Sequence, residues 1–261
     1  MPDISQARVR VGALDVWAVS ESGVADHVTE AWRRSEGGAI VTANVDIVRA
    51  ATRRPELAAL VAESEMVVAD GMPVVWAGRL AGVRVPERVT GASLVFTLAE
   101  AAAREDRSIY LLGGEPGVPE KAADVLSSKY PGLRVAGTDS PPFGFDTSPD
   151  DTAAAVAKAV EAKPDLVLVG LGFPKQERLI RLLRAELPQA WFLGCGAGIP
   201  MAAGEFRRAP GVVQNLGAEW LHRLALEPRR LAKRYLRDDL PFAFRLLGSA
   251  LRTRFGNRTG E

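Results

Sequence analysis

The chain is short of several things, and each shortage excludes something. It holds one cysteine, Cys195, and two histidines, His27 and His222. A single cysteine allows no disulfide within the chain, which fits a reducing compartment. Cys195 lies in an apolar run, where a small buried hydrophobe is the expectation rather than a nucleophile. The histidines have no metal-ligand spacing, so no His-based metal site is expected. No Asp-x-Asp pair occurs, a common device for holding a divalent cation on a diphosphate. The dinucleotide fingerprint G-x-G-x-x-G is also missing, which argues against a nicotinamide cofactor. No apolar run approaches the roughly 18 residues that read as a membrane span. The N-terminus lacks a basic region followed by a long apolar stretch, so no signal peptide is expected.

What is there is ordinary in bulk and uneven in distribution. Of 261 residues, 47% are apolar and 25% charged, enough to build a sizeable core. The net charge of +1 hides an asymmetry: residues 222–261 carry ten Lys/Arg against four Asp/Glu, a balance of +6, and the rest of the chain carries −5. A basic tail on a slightly acidic body suggests an anionic partner: a membrane surface, a diphosphate or nucleic acid.

A short hairpin, Val9–Val11 and Leu14–Val19 split by Gly12, opens the chain, and a helix over Val24–Ser35 follows. Short apolar strands then alternate with helical patterns. The strands are Ala39–Thr42, Met66–Ala69, Ile109–Leu112, Leu133–Gly137, Leu166–Val169 and Trp191–Leu193. Between them lie helices over Asn44–Thr52, Glu56–Glu63, Pro73–Leu80, Ala92–Arg104, Pro119–Lys129, Thr152–Glu161 and Lys175–Glu186. This is the pattern of an α/β fold with a Rossmann-like, mostly parallel sheet covered on both faces. Pro141–Phe145 reads as a loop. From Leu216 no further strand is expected. Helices over Gly217–Leu226, Pro228–Asp238 and Asp239–Phe255 make a basic appendage, residues 216–261, on a body of residues 1–215. In the last helix Leu240, Phe244, Leu247, Leu251 and Phe255 recur at helical spacing among Arg245, Arg252 and Arg254. Such a stripe suits either a membrane surface or docking on the body.

The chemistry is expected at the strand tips. The apolar run Met66–Ala69 ends on Asp70-Gly71, and a mobile basic loop, Arg84–Arg88, precedes Thr90-Gly91. A carboxylate at the C-terminal tip of a buried strand is where open α/β sheets hold ligands. The plain alternative is that Asp70 caps the following helix. Thr42-Ala43-Asn44 ends the neighbouring strand, and Thr42 and Asn44 are likewise either ligand contacts or a helix cap. Three glycine-rich strand–loop–helix junctions follow. They hold Gly113-Gly114, Gly170-Leu171-Gly172-Phe173-Pro174-Lys175-Gln176-Glu177 and Gly194-Cys195-Gly196-Ala197-Gly198. Backbone N–H groups at such junctions can hold a phosphate, glycine lets a ligand approach, and Pro174 suits a first helical turn. Lys175 and Gln176 are expected to point into the same cleft as Asp70.

These segments together resemble the WecG/TagA/CpsF family of bacterial glycosyltransferases. The resemblance rests on Thr42–Asp46, Ala69–Trp76, Glu87–Gly91, Gly170–Glu177, Arg208-Ala209-Pro210, Gly217–Leu224 and Glu227–Arg230, with spacing kept from about Val9 to Arg237. It implies an inverting, metal-independent transfer of a sugar, of N-acetylmannosamine type or a uronic acid, from a UDP-sugar to an undecaprenyl-diphosphate-linked saccharide. No cofactor or nucleic acid is implied. A peripheral position on the cytoplasmic face of the plasma membrane, against anionic lipid, is implied, and a homo-oligomer is compatible with it. Asp70 is then the general base, since an exposed aspartate, with a pKa of about 3.9, is ionised at neutral pH. Thr42, Asn44, Arg88 and Gln176 complete the catalytic set. Gly113, Gly114, Gly170, Gly172, Pro174, Lys175, Glu177, Gly196, Arg223 and Arg230 bind substrate, with the arginines meeting diphosphate charge. One departure stands out: Ile199-Pro200 replaces a frequent Phe-Asp, which bears on the donor sugar more than on the fold. Two rival readings are a Rossmann-like oxidoreductase, disfavoured by the broken glycine fingerprint, and a non-catalytic scaffold of a polysaccharide assembly, disfavoured by the intact Asp70, Arg88 and Gln176.

Overall fold

The computed structural model describes residues 7–205 and 239–256. Among the described residues eight strands form one sheet in the order β1-β2-β4-β3-β8-β7-β5-β6. They are β1 (Arg8–Val11), β2 (Leu14–Trp17), β3 (Gly38–Ala43), β4 (Met66–Ala69), β5 (Ser108–Leu112), β6 (Arg134–Asp139), β7 (Leu166–Val169) and β8 (Trp191–Gly194). Only the β1–β2 hairpin is antiparallel; every other pairing is parallel. The strands β3, β4, β7 and β8 are buried along their whole length. They read as continuous apolar runs because helices cover both their faces.

Alternation along each strand sorts the side chains to two sides. Ile40, Val68, Leu111, Leu168 and Leu193 pack under α1 (Glu21–Arg33), α5 (Gly91–Arg104), α6 (Val118–Lys129) and the short α9 (Gly198–Ala202). On the other face, Val41, Ala43, Val67 and Ala69 meet α2 (Val45–Arg53), α3 (Pro55–Ala62) and α4 (Met72–Leu80). Leu112, Val167, Val169 and Phe192 meet α7 (Pro149–Ala162) and α8 (Lys175–Glu186) there. Expected and observed elements agree to within about three residues at each end. The unexpected pieces are α9 and a 3-10 turn at Phe145–Thr147.

The last helix, α10 (Leu240–Gly256), buries one face on the body and leaves part of its apolar stripe outward. It packs on α4 through Ala243, Leu246 and Ala250, and Leu246 and Ala250 belong to the core cluster around Val74 and Val75. Leu240, Phe244 and Leu251, three members of the stripe read from spacing, face outward, Phe244 being 68% exposed. Small residues at 243 and 250 let the helices approach closely, and this outweighs the bulk of the other stripe. Asp239 ties the start of α10 to α2 through Arg49 at 3.2 Å, and Arg49 also pairs with Asp46. The expected helices over 217–226 and 228–238, and the division near residue 215, lie outside the described residues.

Candidate active site

Seven parallel strands, β2 to β8, deliver their C-terminal tips to one edge. Ala69 pairs with Ala43, and Val41 with Gly194. Asp70, following β4, and Asn44, following β3, therefore stand about 5 Å apart on neighbouring strands. Asp70 is half-buried, and its N–H donates to the Ala43 carbonyl at 3.0 Å. The cap position of α4 belongs to Gly71, whose φ of +130° is closed to other residues, so Asp70 is not the helix cap. Asn44 does cap a helix: its Oδ1 accepts from Ile47 N at 3.0 Å at the start of α2. Thr42 is buried, and its hydroxyl donates to the Gly194 carbonyl at 3.2 Å, tying β3 to β8.

The Arg84–Arg88 loop is pinned rather than mobile. The Arg79 guanidinium donates to Val85 O and Pro86 O, both at 2.8 Å. Glu87 accepts from the N–H of Glu21 at the start of α1, and Val85 and Val89 are buried. Val89 N donates to Ala69 O at 2.9 Å, which joins the segment carrying Arg88 to the strand that ends on Asp70. Thr90 caps α5 through Ser93 N. A Cβ on Gly91 would lie 2.9 Å from the Cα of Cys195, so only glycine lets α5 abut the loop after β8.

The glycine junctions form a backbone shelf. A Cβ on Gly113 would come within 2.6 Å of Gly170 O, and one on Gly170 within 2.8 Å of Gly196 O. Their donors are committed: Gly113 N to Asp139 O, Gly170 N to Leu112 O, and both Gly172 N and Gly196 N to Gln176 Oε1. The N–H groups of Gly113, Gly170, Gly172 and Gly196 therefore do not cradle a phosphate in this conformation. Open space faces the α-carbons of Gly172 and Gly196 instead, which leaves the shelf approachable from the strand-tip side.

Three polar members of the Gly170–Glu177 segment sit differently from expectation. Lys175 pairs with Asp146 at 3.0 Å and lies 5.8 Å from the ring of Phe143, leaning toward the β6 side. Three strand intervals, about 14 Å, separate its loop from Asp70, so the two do not share one narrow cleft. Gln176 and Glu177 are both 4% exposed and turn inward beneath the loops. Burial pushes the Glu177 carboxyl up to about 7, against hydrogen bonds from Gln176 and the backbone that pull it down. Pro174 precedes α8 at the cap position. Cys195 is buried, its thiol pushed up to about 12 by loss of water, which suits a packing role. Arg223 and Arg230 lie outside the described residues, as do Arg208-Ala209-Pro210 and the segment 217–230.

Spacing gave no sign of Asp139 and Ser140 at the tip of β6, because that strand reads as ending at Gly137. Asp139 is buried and pairs with Lys158 at 2.6 Å, and the Ser140 hydroxyl donates to Gly114 O. Together they fix the loop after β5. Among the described residues no group of three or more His, Cys, Asp or Glu side chains is disposed to hold a metal ion.

Comparison with known proteins assigns the chain. The glycosyl transferase WecG/TagA/CpsF family matches residues 9–256. An N-acetylglucosaminyldiphosphoundecaprenol N-acetyl-beta-D-mannosaminyltransferase of Bacillus subtilis (strain 168) is 30% identical over 194 residues, covering 74% of this chain and 73% of that protein. The chain belongs to the WecG/TagA/CpsF family of glycosyltransferases.

Proposed function

We propose that this glycosyltransferase moves a sugar of N-acetylmannosamine type, or a uronic acid, from a UDP-sugar to an undecaprenyl-diphosphate-linked saccharide, with inversion. The half-buried carboxylate of Asp70 at the tip of β4, beside Asn44 and next to the pinned segment of Arg88, carries this reading. The name of the Bacillus subtilis relative supports the choice of donor and acceptor. In the reaction the acceptor hydroxyl attacks the anomeric carbon as UDP departs, and Asp70 takes the hydroxyl proton. The glycine shelf receives the donor through the open faces of Gly172 and Gly196. Arg88, with Arg223 and Arg230, balances the growing charge on the leaving diphosphate. No metal is required, a reading that rests on the missing Asp-x-Asp pair.

The protein works at a membrane surface. No helix among the described residues is long and apolar enough to cross a bilayer. The outward Leu240, Phe244 and Leu251 of α10, flanked by exposed Arg245, Arg252 and Arg254, support peripheral attachment to anionic lipid. The test is transfer in vitro: purified protein, UDP-N-acetylmannosamine and a short-chain lipid diphosphate bearing N-acetylglucosamine, with the disaccharide product identified by mass. If no UDP-sugar in a panel is transferred to this or a related lipid-linked acceptor, the reading fails.

A further inference from the structure

Gln176 is a polar residue at a βα junction, a position that suggests contact with the ligand. Its surroundings say otherwise. The side chain is 4% exposed. Its Oε1 accepts from Gly172 N and from Gly196 N, each at 3.1 Å, so both acceptor sites of the amide are used. Its Nε2 donates to Glu177 Oε1 at 2.9 Å. Gly194 is bare for the same reason: a Cβ there would lie 2.6 Å from Gln176 Nε2 and 3.2 Å from Glu177 Oε1.

An amide can sit either way round, and only one way works here. A flipped Gln176 would turn its NH₂ toward two N–H groups that need an acceptor. Glu177 selects the working orientation, because its Oε1 accepts a hydrogen bond from Nε2. One side chain thus bridges the loop after β7 to the loop after β8, and its neighbour sets the bridge's polarity.

We propose that Gln176 and Glu177 are a positioning pair, in which Glu177 orients the Gln176 amide so that it ties the Gly172 and Gly196 loops together from beneath and fixes the width of the shelf on which the donor lies. The inference rests on the glycosyl-transfer reading for its consequence, not for its geometry. Neither residue touches the sugar-nucleotide. They act by holding two backbone segments whose outer faces do. A misplacement of about 1 Å in such a surface can lower turnover about 100-fold.

The experiment compares Gln176→Ala, Glu177→Leu and the exchange Gln176→Glu with Glu177→Gln in one chain. In the exchanged pair a carboxylate at 176 accepts from both glycines and from the new amide at 177, so the same three bonds form with one donor reversed. Amide hydrogen exchange at Gly172 and Gly196 is read in the ligand-free protein, and kcat and KM for the UDP-sugar are read separately. The single variants should speed exchange at the two glycines about tenfold, the expected loss for one hydrogen bond. Their kcat should fall more than their KM rises. The exchanged pair should regain slow exchange and most of the turnover. Glu177→Leu leaves Gln176 in place and serves if Gln176→Ala does not fold. Unchanged protection at Gly172 and Gly196 in the single variants overturns the tie. Restored protection with turnover still lost in the exchanged pair also overturns the proposal, because the Gln176 amide would then be touching substrate itself. A wild-type chain that transfers no sugar would sink the functional reading alone, since the exchange measurements need no substrate.

Discussion

Glu177→Gln should change how stability depends on pH, and the direction follows from burial. Glu177 is 4% exposed, and one of its carboxyl oxygens, Oε2, is buried with no hydrogen-bond partner among the described residues. Burial raises it from its ordinary 4.5 to about 7 in the folded protein. Between those two values the folded state binds a proton that the unfolded state has released. Stability is therefore fully present below about pH 4.5, falls as pH rises through the window, and is lowest above about pH 7. A displacement of about 2.5 units corresponds to about 3 kcal/mol. Among the described residues, the charged groups Glu63, Arg181 and Arg184 line a small void beside Glu177. Arg181 pairs with Glu63, and Arg184 with Glu65, so these charges are largely matched among themselves.

A glutamine at 177 has no proton to release. The variant should lose this part of the pH dependence and gain on the wild type by up to about 3 kcal/mol between pH 4.5 and pH 8. The measurement is urea unfolding of both proteins across that range, taking the difference of differences so that every other titrating group cancels. Parallel stability curves for the two proteins would refute a buried, raised carboxyl at 177. A gap that widens toward low pH would mean that Glu177 is stabilised as a carboxylate, the opposite of what burial dictates.

Four further outcomes are expected. Asp70→Asn should keep UDP binding, read by calorimetry, and lose about 10²–10⁴ in turnover; near-normal turnover would remove Asp70 as the base. Leu246→Ala should destabilise by about 2–4 kcal/mol, because Leu246 is 3% exposed in the core, whereas Phe244→Ala on the outward face should stay within about 0.5 kcal/mol and instead weaken binding to anionic vesicles. Arg79→Ala removes both bonds to the Val85 and Pro86 carbonyls, so trypsin should cut at Arg84 or Arg88 sooner and turnover should fall; unchanged cleavage would mean that the loop is held by its buried valines alone. Excess EDTA should leave turnover intact, and restoration by Mg²⁺ or Mn²⁺ after a loss would overturn the metal-free reading.

Much of the fold was legible because the rules that fix it are local. Apolar runs of four to six residues, closed by Gly, Pro or Asp, have few options other than strands of a covered parallel sheet, and β4 and β7 fall on the residues that spacing assigns to them. Strand order was not legible. Nothing in the sequence of β8 says that it inserts between β3 and β7, and that insertion brings Gly194 beside Thr42. Which face α10 buries was not legible either, so its apolar stripe suited a membrane surface and docking equally. Bulk at helical spacing marked Leu240, Phe244 and Leu251, while the partner helix α4 selected the small residues Ala243 and Ala250 around Leu246.

The candidate site shows the same division between what a residue is and what it faces. A carboxylate at a strand tip, a glycine that must take a positive φ after it, and an arginine on the next loop are local features, and they survive in three dimensions. The polar pair Gln176-Glu177 is different. Polarity at a glycine-rich junction suggested a hand held out to the ligand, yet the helical period placed Gln176 in line with Ile180 and Leu183, on the face that packs against the sheet. A glutamine on an apolar stripe can remain there only if its amide is satisfied by fixed partners, because an unpaired buried amide costs several kcal/mol. Its partners could not be found in the neighbouring sequence. They are the N–H of Gly172, four residues earlier, and the N–H of Gly196, twenty residues later. The inward position of Gln176 emerged only in the structure, where the adjacency of β7 and β8 revealed what it holds.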